Sequence, residues 1–360
     1  MIIPAFLVSL FIAAIVAPLI IRLYTSRKWI DDPAKQHHVK ITHQSPVPRG
    51  GGLVILVAVL LSCLLFLNLN SEIFWILLGT TILAAMGTLD DIKNLNPYLR
   101  FVVGLLVAGF IVFAGIKIEY ITHPFQTGVI YIDHPSFIIN GVLFSFNLPF
   151  LSTILTVLWI VWNMNIVNWS KGIDGQLPGV VGIASIFIGI LAIRFSADPA
   201  QQNVILLAFI VAGAYLGLLI WNAYPQKIMP GYGAGSLGGY FLAILAILSG
   251  AKLATSLLVL ALPTADAIFT ITRRLLRKKS PFWGDRGHLH HKLMDVLGWS
   301  KRTTAFFYWM VTALMGFIAL QLKPEQKLFT IVVVSALVFG FLIWAKLFIT
   351  SSKQHDQDSG

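Results

Sequence analysis

About eleven apolar stretches, each close to the roughly 20 residues an α-helix needs to cross a bilayer, dominate this chain of 360 residues. They run approximately over 2 to 23, 52 to 68, 73 to 89, 99 to 116, 150 to 167, 179 to 195, 203 to 221, 237 to 250, 254 to 272, 304 to 321 and 328 to 348. Hydrophobic residues make up 57% and charged residues only 11%, too few charges to cover a globular surface in water, where about a quarter is usual. Soluble, disordered and secreted disulfide-rich classes are thereby excluded, the last also because Cys63 has no second cysteine to pair with. The expected fold is an all-α polytopic membrane protein, with a single transmembrane domain over 1–349 and a disordered cytoplasmic tail over 350–360. The first stretch meets no charge before Arg22. It lacks the basic flank that opens a secretory signal and reads as a retained helix.

Orientation follows from Lys and Arg, because cytoplasmic loops keep the excess of positive charge. Alternate loops carry 21 and 5 of these residues, which places the amino terminus outside and the carboxyl terminus inside. The formal charge of +11 then reflects cytoplasmic loops facing anionic lipid, and no nucleic-acid partner is expected. On the outside, about 116 to 149, Lys117 to Ile121 and Gly128 to Asp133 alternate with strand periodicity, so a small external β-hairpin is expected there.

The same alternation gathers the unusual polar clusters on the cytoplasmic side: Pro46 to Gly52, Asp90-Asp91, Asn163 to Gly175, Pro230 to Gly239, and Asp266 through His291. Adjacent carboxylates repel, so Asp90 and Asp91 either hold a cation or split their pKa values. Followed by Lys93, they could also be a solvated helix end. Asn163, Asn165 and Asn168 are either helix-packing amides or the lip of a turn that offers polar groups to a ligand. The run from Gly231 to Gly239 suits close helix packing and phosphate binding equally. His288, His290 and His291 could recruit zinc, but closed zinc sites take four ligands, usually with Cys. Beside Arg286 and Lys292 the imidazoles suit a pyrophosphate better.

Taken in order, these clusters resemble the polyprenyl-phosphate N-acetylhexosamine-1-phosphate transferases, glycosyltransferase family 4. The resemblance runs from His43 and the Pro46 to Gly52 loop through Asp90-Asp91, Asn165-x-x-Asn168, Gly172-Ile173-Asp174-Gly175, Ala234-Gly235-Ser236, and Pro263 with Asp266. It ends on His288-Leu289-His290-His291 after Asp285-Arg286, in a cytoplasmic loop of about 273–303. Eleven spans and an external hairpin are similar to the N-acetylglucosaminyl branch. The resemblance implies an inner-membrane phosphotransferase with its active site in the cytoplasm. It would move a sugar 1-phosphate from a UDP-sugar to undecaprenyl phosphate, release UMP, and so begin a cell-envelope glycan. By the same resemblance Asp90 or Asp91 serves as base, and Asn165, Asp174, Gly235, Ser236, Arg286, His288, His290 and His291 bind substrate. Asp91, Asn168 and Asp266 would hold Mg2+, and a homodimer is implied.

Two positions depart from the family pattern. Gly233 stands where the family carries a magnesium-binding aspartate, and Lys171 replaces the first aspartate of the usual DGxDG stretch. One expectation is a non-catalytic protein that binds nucleotide sugar or lipid carrier. The other couples the changes: Lys171 joins the catalytic residues, an ammonium takes over part of the cation's electrostatic work, and magnesium dependence weakens.

Overall fold

Each apolar stretch closes into a helix because hydrocarbon offers backbone N–H and C=O groups no partners except one another. The computed structural model describes residues 1–34, 45–123, 128–140, 145–199, 201–250, 253–280 and 287–358. Among the described residues, α1 (Ile2–Ser26) leads through a two-residue ribbon, β1 (Ile30–Asp31) with β2 (Val47–Pro48), into α2 (Gly51–Phe66), α3 (Ser71–Lys93) and α4 (Pro97–Phe113). Next come the strands β3 (Tyr120–Thr122), β4 (Val129–Tyr131), β5 (Ser136–Asn140) and β6 (Ser145–Pro149), then α5 (Phe150–Trp169), α6 (Gln176–Ile193), α7 (Gln201–Asn222) and α8 (Gly231–Leu248). The chain ends with α9 (Leu253–Val259), α10 (Ala261–Leu276), α11 (Leu289–Leu297), α12 (Lys301–Gln321) and α13 (Pro324–Asp358).

The eleven expected stretches correspond one for one to helices. Eight are long and apolar enough to cross a membrane, α9 with α10 forms a ninth, and α2 and α4 are shorter apolar helices. The ninth differs from the continuous span expected over 254 to 272: α9 and α10 meet at Leu260 with a bend of 83°. Pro263 lies in the first turn of α10, where its missing N–H costs no intrahelical bond. The break carries the second half, with Asp266, out of line with the first.

The external segment holds two hairpins where one was expected. β3 pairs antiparallel with β4, Ile121 opposite Ile130, in the alternating stretches; β5 pairs with β6, Ile138 opposite Asn147. At the other end of the chain, α13 continues to Asp358, through most of the expected tail.

The helix α8 is the axis of the bundle. Every residue from Gly231 to Ile247 is buried, and α2, α3, α5, α6, α7 and α9 pack around it. Its polar side chains are spent inside the bundle: Tyr240 Oη donates to the carbonyl of Ile76 at 3.0 Å, while Tyr215 Oη on α7 donates to that of Ala234 at 2.6 Å. By contrast α13 is mostly exposed along its apolar length, as a lipid-facing helix must be.

Near the start of α8, backbones approach one another too closely for side chains. A Cβ on Gly87 of α3 would fall on the backbone of Gly233, and one on Gly233 would come within 3.0 Å of the Gly52 Cα of α2. Removing side chains is how membrane helices gain close van der Waals contact, and the contact fixes where the α3 terminus lies against α8. Gly87→Ala should therefore lower the thermal unfolding midpoint in detergent, at an overpacking cost of about 1–3 kcal/mol. Gly109→Ala, where a Cβ meets nothing within 4 Å, should leave it unchanged. Equal midpoints for the two variants would mean that the helices can part.

Candidate active site

The carboxyl-terminal end of α3 puts two carboxylates where the helix runs out of apolar sequence, and the structure gives them different partners. Asp90 is buried. Its Oδ1 accepts from the Leu95 amide at 3.0 Å, and the Arg100 Nη1 donates to Oδ1 at 3.2 Å and Oδ2 at 3.1 Å. Asp91 is half-buried and points to α8, where the Tyr232 amide donates to its Oδ1 at 3.0 Å. The turn that allows this approach has Gly231 at φ +66, and a Cβ there would collide with Asp91 Oδ2.

Three cations surround the pair, two of them already committed. Arg49 donates through Nε to Asp31 Oδ2 at 3.0 Å and through Nη1 to Asn94 Oδ1 at 2.9 Å, and its Nη2 also pairs with Asp31. Arg100 is held on Asp90 and lies 5.1 Å from the Tyr232 ring centre. Lys171 Nζ lies 5.8 Å from the same ring, within cation–π range. Among the described residues no hydrogen bond or direct ion pair reaches it; Asp91 and Asp90 act on it through space. Burial pushes the Lys171 ammonium down to about 8, Asp91 opposing the shift and Arg49 adding to it.

The turn between α5 and α6 sends successive residues to different neighbours. Gly235 packs directly on Asn168, whose buried Oδ1 accepts no hydrogen bond among the described residues. Trp169 lies 6.3 Å from the His288 ring, Lys171 faces Asp91, and His290 covers Gly172 so closely that a Cβ there would strike its ring. Asp174 accepts from the Gln226 amide at 3.2 Å and from Lys301 Nζ at 3.5 Å. Asn222 at the end of α7 locks this corner: its Oδ1 accepts from the Gly175 amide at 3.0 Å, and its Nδ2 donates to the Ile228 carbonyl at 2.8 Å.

The histidine segment is built on Asp266. Its Oδ1 accepts from the Leu289 amide at 2.8 Å and its Oδ2 pairs with His288 Nδ1 at 2.9 Å. A carboxylate only accepts, so Nδ1 is the donor and Nε2 is left as the acceptor of the neutral ring. His288 stacks on His290 at 5.7 Å and 5°, and His290 meets His291 at 4.3 Å.

Not every expected site residue converges. Asn165 turns its amide back onto the Val161 carbonyl at 2.8 Å, a helix-packing use. Ser236 donates to the Tyr232 and Gly233 carbonyls of its own helix. His43, Asp285 and Arg286 lie outside the described residues. Conversely, sequence reasoning passed over Asn222, Arg100 and Tyr232. Arg100 lies ten positions after Asp90 across an Asn-Pro helix start, a spacing that makes the return contact available.

The residues do not assemble a magnesium shell. Mg2+ takes near-octahedral oxygen coordination at about 2.0–2.1 Å, often one or two carboxylates with substrate phosphates and waters. Among the described residues no three His, Cys, Asp or Glu side chains group to hold an ion. Asp90 and Asp266 have both oxygens engaged, which leaves Asp91 and the Asn168 Oδ1, with an ammonium facing that carboxylate.

Comparison with known proteins matches this chain over residues 73–250 to the family described as glycosyl transferase family 4. A probable undecaprenyl-phosphate N-acetylglucosaminyl 1-phosphate transferase from Bacillus subtilis (strain 168) is 28% identical over 353 residues, covering 96% of this chain and 92% of that protein. The phospho-N-acetylmuramoyl-pentapeptide-transferase of Bacillus pumilus (strain SAFR-032) is 28% identical over 341 residues, 89% of this chain and 96% of that protein. Its counterpart in Clostridioides difficile (strain 630) is 26% identical over 335 residues, 88% and 94%. Similarity along nearly the full length, with the paired aspartates, the Asn168 turn and the histidine segment in one neighbourhood, makes this chain similar to the transferases of glycosyl transferase family 4.

Proposed function

We propose that this protein transfers a sugar 1-phosphate, of the N-acetylhexosamine class, from a UDP-sugar to undecaprenyl phosphate and releases UMP. The observation that carries the reading is the placing of Asp91: a carboxylate at the membrane edge, fixed by the Tyr232 amide and within the field of the Lys171 and Arg49 cations. The names of the relatives supply the lipid and the sugar class. The charge bias of the loops supports a site open to the cytoplasm, where nucleotide sugars are made, in the inner membrane.

The step is an in-line phosphoryl transfer. An oxygen of the lipid phosphate attacks the β-phosphorus of the UDP-sugar, and the bond from that phosphorus to the bridging oxygen breaks. UMP leaves with the bridging oxygen and its electron pair, and the lipid keeps a sugar pyrophosphate. Little covalent chemistry falls to the protein; positioning and electrostatics do the work. Asp91 takes the proton of the lipid phosphate, which reaches it along the cleft lined by Lys28, Trp29, Arg49 and Asn94. Asp90, with both oxygens occupied, positions Arg100 instead. His288, His290 and His291 stand over the turn to meet the phosphate of the sugar.

Purified protein given undecaprenyl phosphate and UDP-N-acetylglucosamine should release UMP. Asp91→Asn keeps an acceptor for the Tyr232 amide and removes the base, so turnover should fall by roughly a hundredfold or more with the unfolding midpoint preserved. UDP-sugar binding with no UMP from any UDP-sugar would favour the non-catalytic reading.

The pH profile carries the sign of the Lys171 shift. Lys171 is an ammonium below about 8 and neutral above it, so kcat/KM should decline as pH rises through that value. Lys171→Arg, charged throughout, should move the decline to higher pH. An unmoved alkaline limb would assign it to another group.

A further inference from the structure

We propose that the Lys171 ammonium, in place of a divalent cation, carries the positive charge that meets the nucleotide-sugar pyrophosphate in this site. The inference rests on the transferase reading above and specifies how its charge is balanced.

Three observations converge. Of the cations around Asp91, Arg49 is held by Asp31 and Asn94 and Arg100 by Asp90. Lys171 alone among them has all three N–H donors uncommitted among the described residues, 5.8 Å from the Tyr232 ring and within the field of Asp91. An ammonium is a compact point charge with three donors, suited to phosphate oxygens. The structure supplies it where burial makes an unmatched charge costly, so an arriving anion is worth more there than in water.

The second observation is a shortage of metal ligands caused by packing. An acidic side chain in place of Gly233 would have to start inside the contact that Gly233 makes with Gly52 and Gly87. A Cβ there would come within 3.0 Å of the Gly52 Cα and 3.5 Å of the Gly87 Cα, so an acidic side chain would need the α2 backbone to give way by a few tenths of an ångström. The third is the engagement of the other acids: Asp90 is spent on Arg100 and Leu95, and Asp266 on His288 and Leu289. What remains among the described residues is one carboxylate, one amide oxygen and one ammonium, a set that neutralises an anion more readily than it chelates a dication.

In the transfer step Lys171 donates hydrogen bonds to the bridging oxygen between the two phosphorus atoms and to the non-bridging oxygens beside it. It balances the charge that builds on the bridging oxygen as UMP departs, and keeps its protons. Fixed donors aimed at developing charge are the main electrostatic device of phosphoryl transfer.

The test measures binding separately from turnover. The full-length protein in detergent is titrated calorimetrically with UDP-N-acetylglucosamine, in excess EDTA and in Mg2+, and bound Mn2+ is followed by electron paramagnetic resonance. Wild type should bind the nucleotide sugar equally well in both conditions and retain no Mn2+. Lys171→Met should lose about tenfold or more in affinity, the scale of a charge-assisted contact, while Lys171→Arg should keep most of it. Lys171→Asp, which faces a second carboxylate toward Asp91, should gain Mn2+ binding. Unfolding midpoints of the variants identify any that fail to fold, and the wild-type chelator comparison does not depend on them. Binding by wild type only with Mg2+, or wild-type retention of Mn2+ matching Lys171→Asp, would overturn the inference. UMP release that EDTA abolishes would overturn it too and leave the transferase reading standing. Metal-free, Lys171-dependent binding without UMP release would sink the transferase reading and keep the charge assignment. No binding of UDP-N-acetylglucosamine in either condition would refute the charge assignment.

Discussion

Burying charge in a chain this apolar is the constraint on which the rest of the site depends. An ion moved out of water costs several kcal/mol unless a partner and hydrogen bonds replace the lost solvation. Three carboxylates beside one membrane edge meet three cations: Asp31 with Arg49, Asp90 with Arg100, and Asp91 with Lys171. Each match also ties two separate pieces of chain together. Arg49 fastens the β1–β2 ribbon to the end of α3 through Asp31 and Asn94, and Arg100 folds the start of α4 back on that same end. Lys171 brings in the α5–α6 turn. The local geometry is therefore an electrostatic solution first, and its chemistry is what remains uncommitted after the pairing: the second oxygen of Asp91 and the donors of Lys171.

The turn after α5 distributes that chemistry. From Asn168 to Asp174, side chains leave a short segment toward α8, the histidine segment, the aspartate pair and the cis Tyr224-Pro225 corner. Asn222 holds the segment from beneath through the Gly175 amide. A shift of the turn would move the ammonium, the orphaned amide oxygen and the floor under His290 together. That shared dependence explains why the site spans helices remote in sequence yet can act as one unit.

Hydropathy made the spans legible because the bilayer imposes one length scale, and each apolar stretch falls on a helix or the broken pair, although α8 begins six residues earlier and α13 ends ten residues later than the apolar run. The bend at Leu260 was not legible, since Pro263 in a first helical turn fits a straight continuation as well as a break. Nor was the β5–β6 hairpin, whose register depends on backbone pairing and whose strands show no clean alternation. Within the site, the sequence announced the residues and concealed their partners. Asp90 and Asp91 are neighbours in the chain, yet one serves Arg100 and the other faces Lys171. Asp266 lies 22 positions before His288, across a stretch outside the described residues, so its use as an anchor emerges only from the fold. Asn165 and Asn168 share a helix end and a motif, but a difference of three residues turns one onto its own backbone and the other against Gly235.

Gly233 and Lys171 are best understood as one change. The glycine lets α8 approach α2 and α3 at backbone distance, and this approach brings the Tyr232 amide onto Asp91. An acidic residue at the glycine would press on the Gly52 backbone and add negative charge beside Asp90 and Asp91, which a further cation would have to offset. On the proposal made above, an ammonium at residue 171 supplies positive charge in place of a dication, and its four-carbon stem brings Nζ within 5.8 Å of the Tyr232 ring. Neither half is favourable by itself: Lys171 against a dication would suffer like-charge repulsion, and Gly233 without Lys171 would leave Asp91 buried with its nearest cations already spoken for. Close packing and charge balance thus select the same pair of residues.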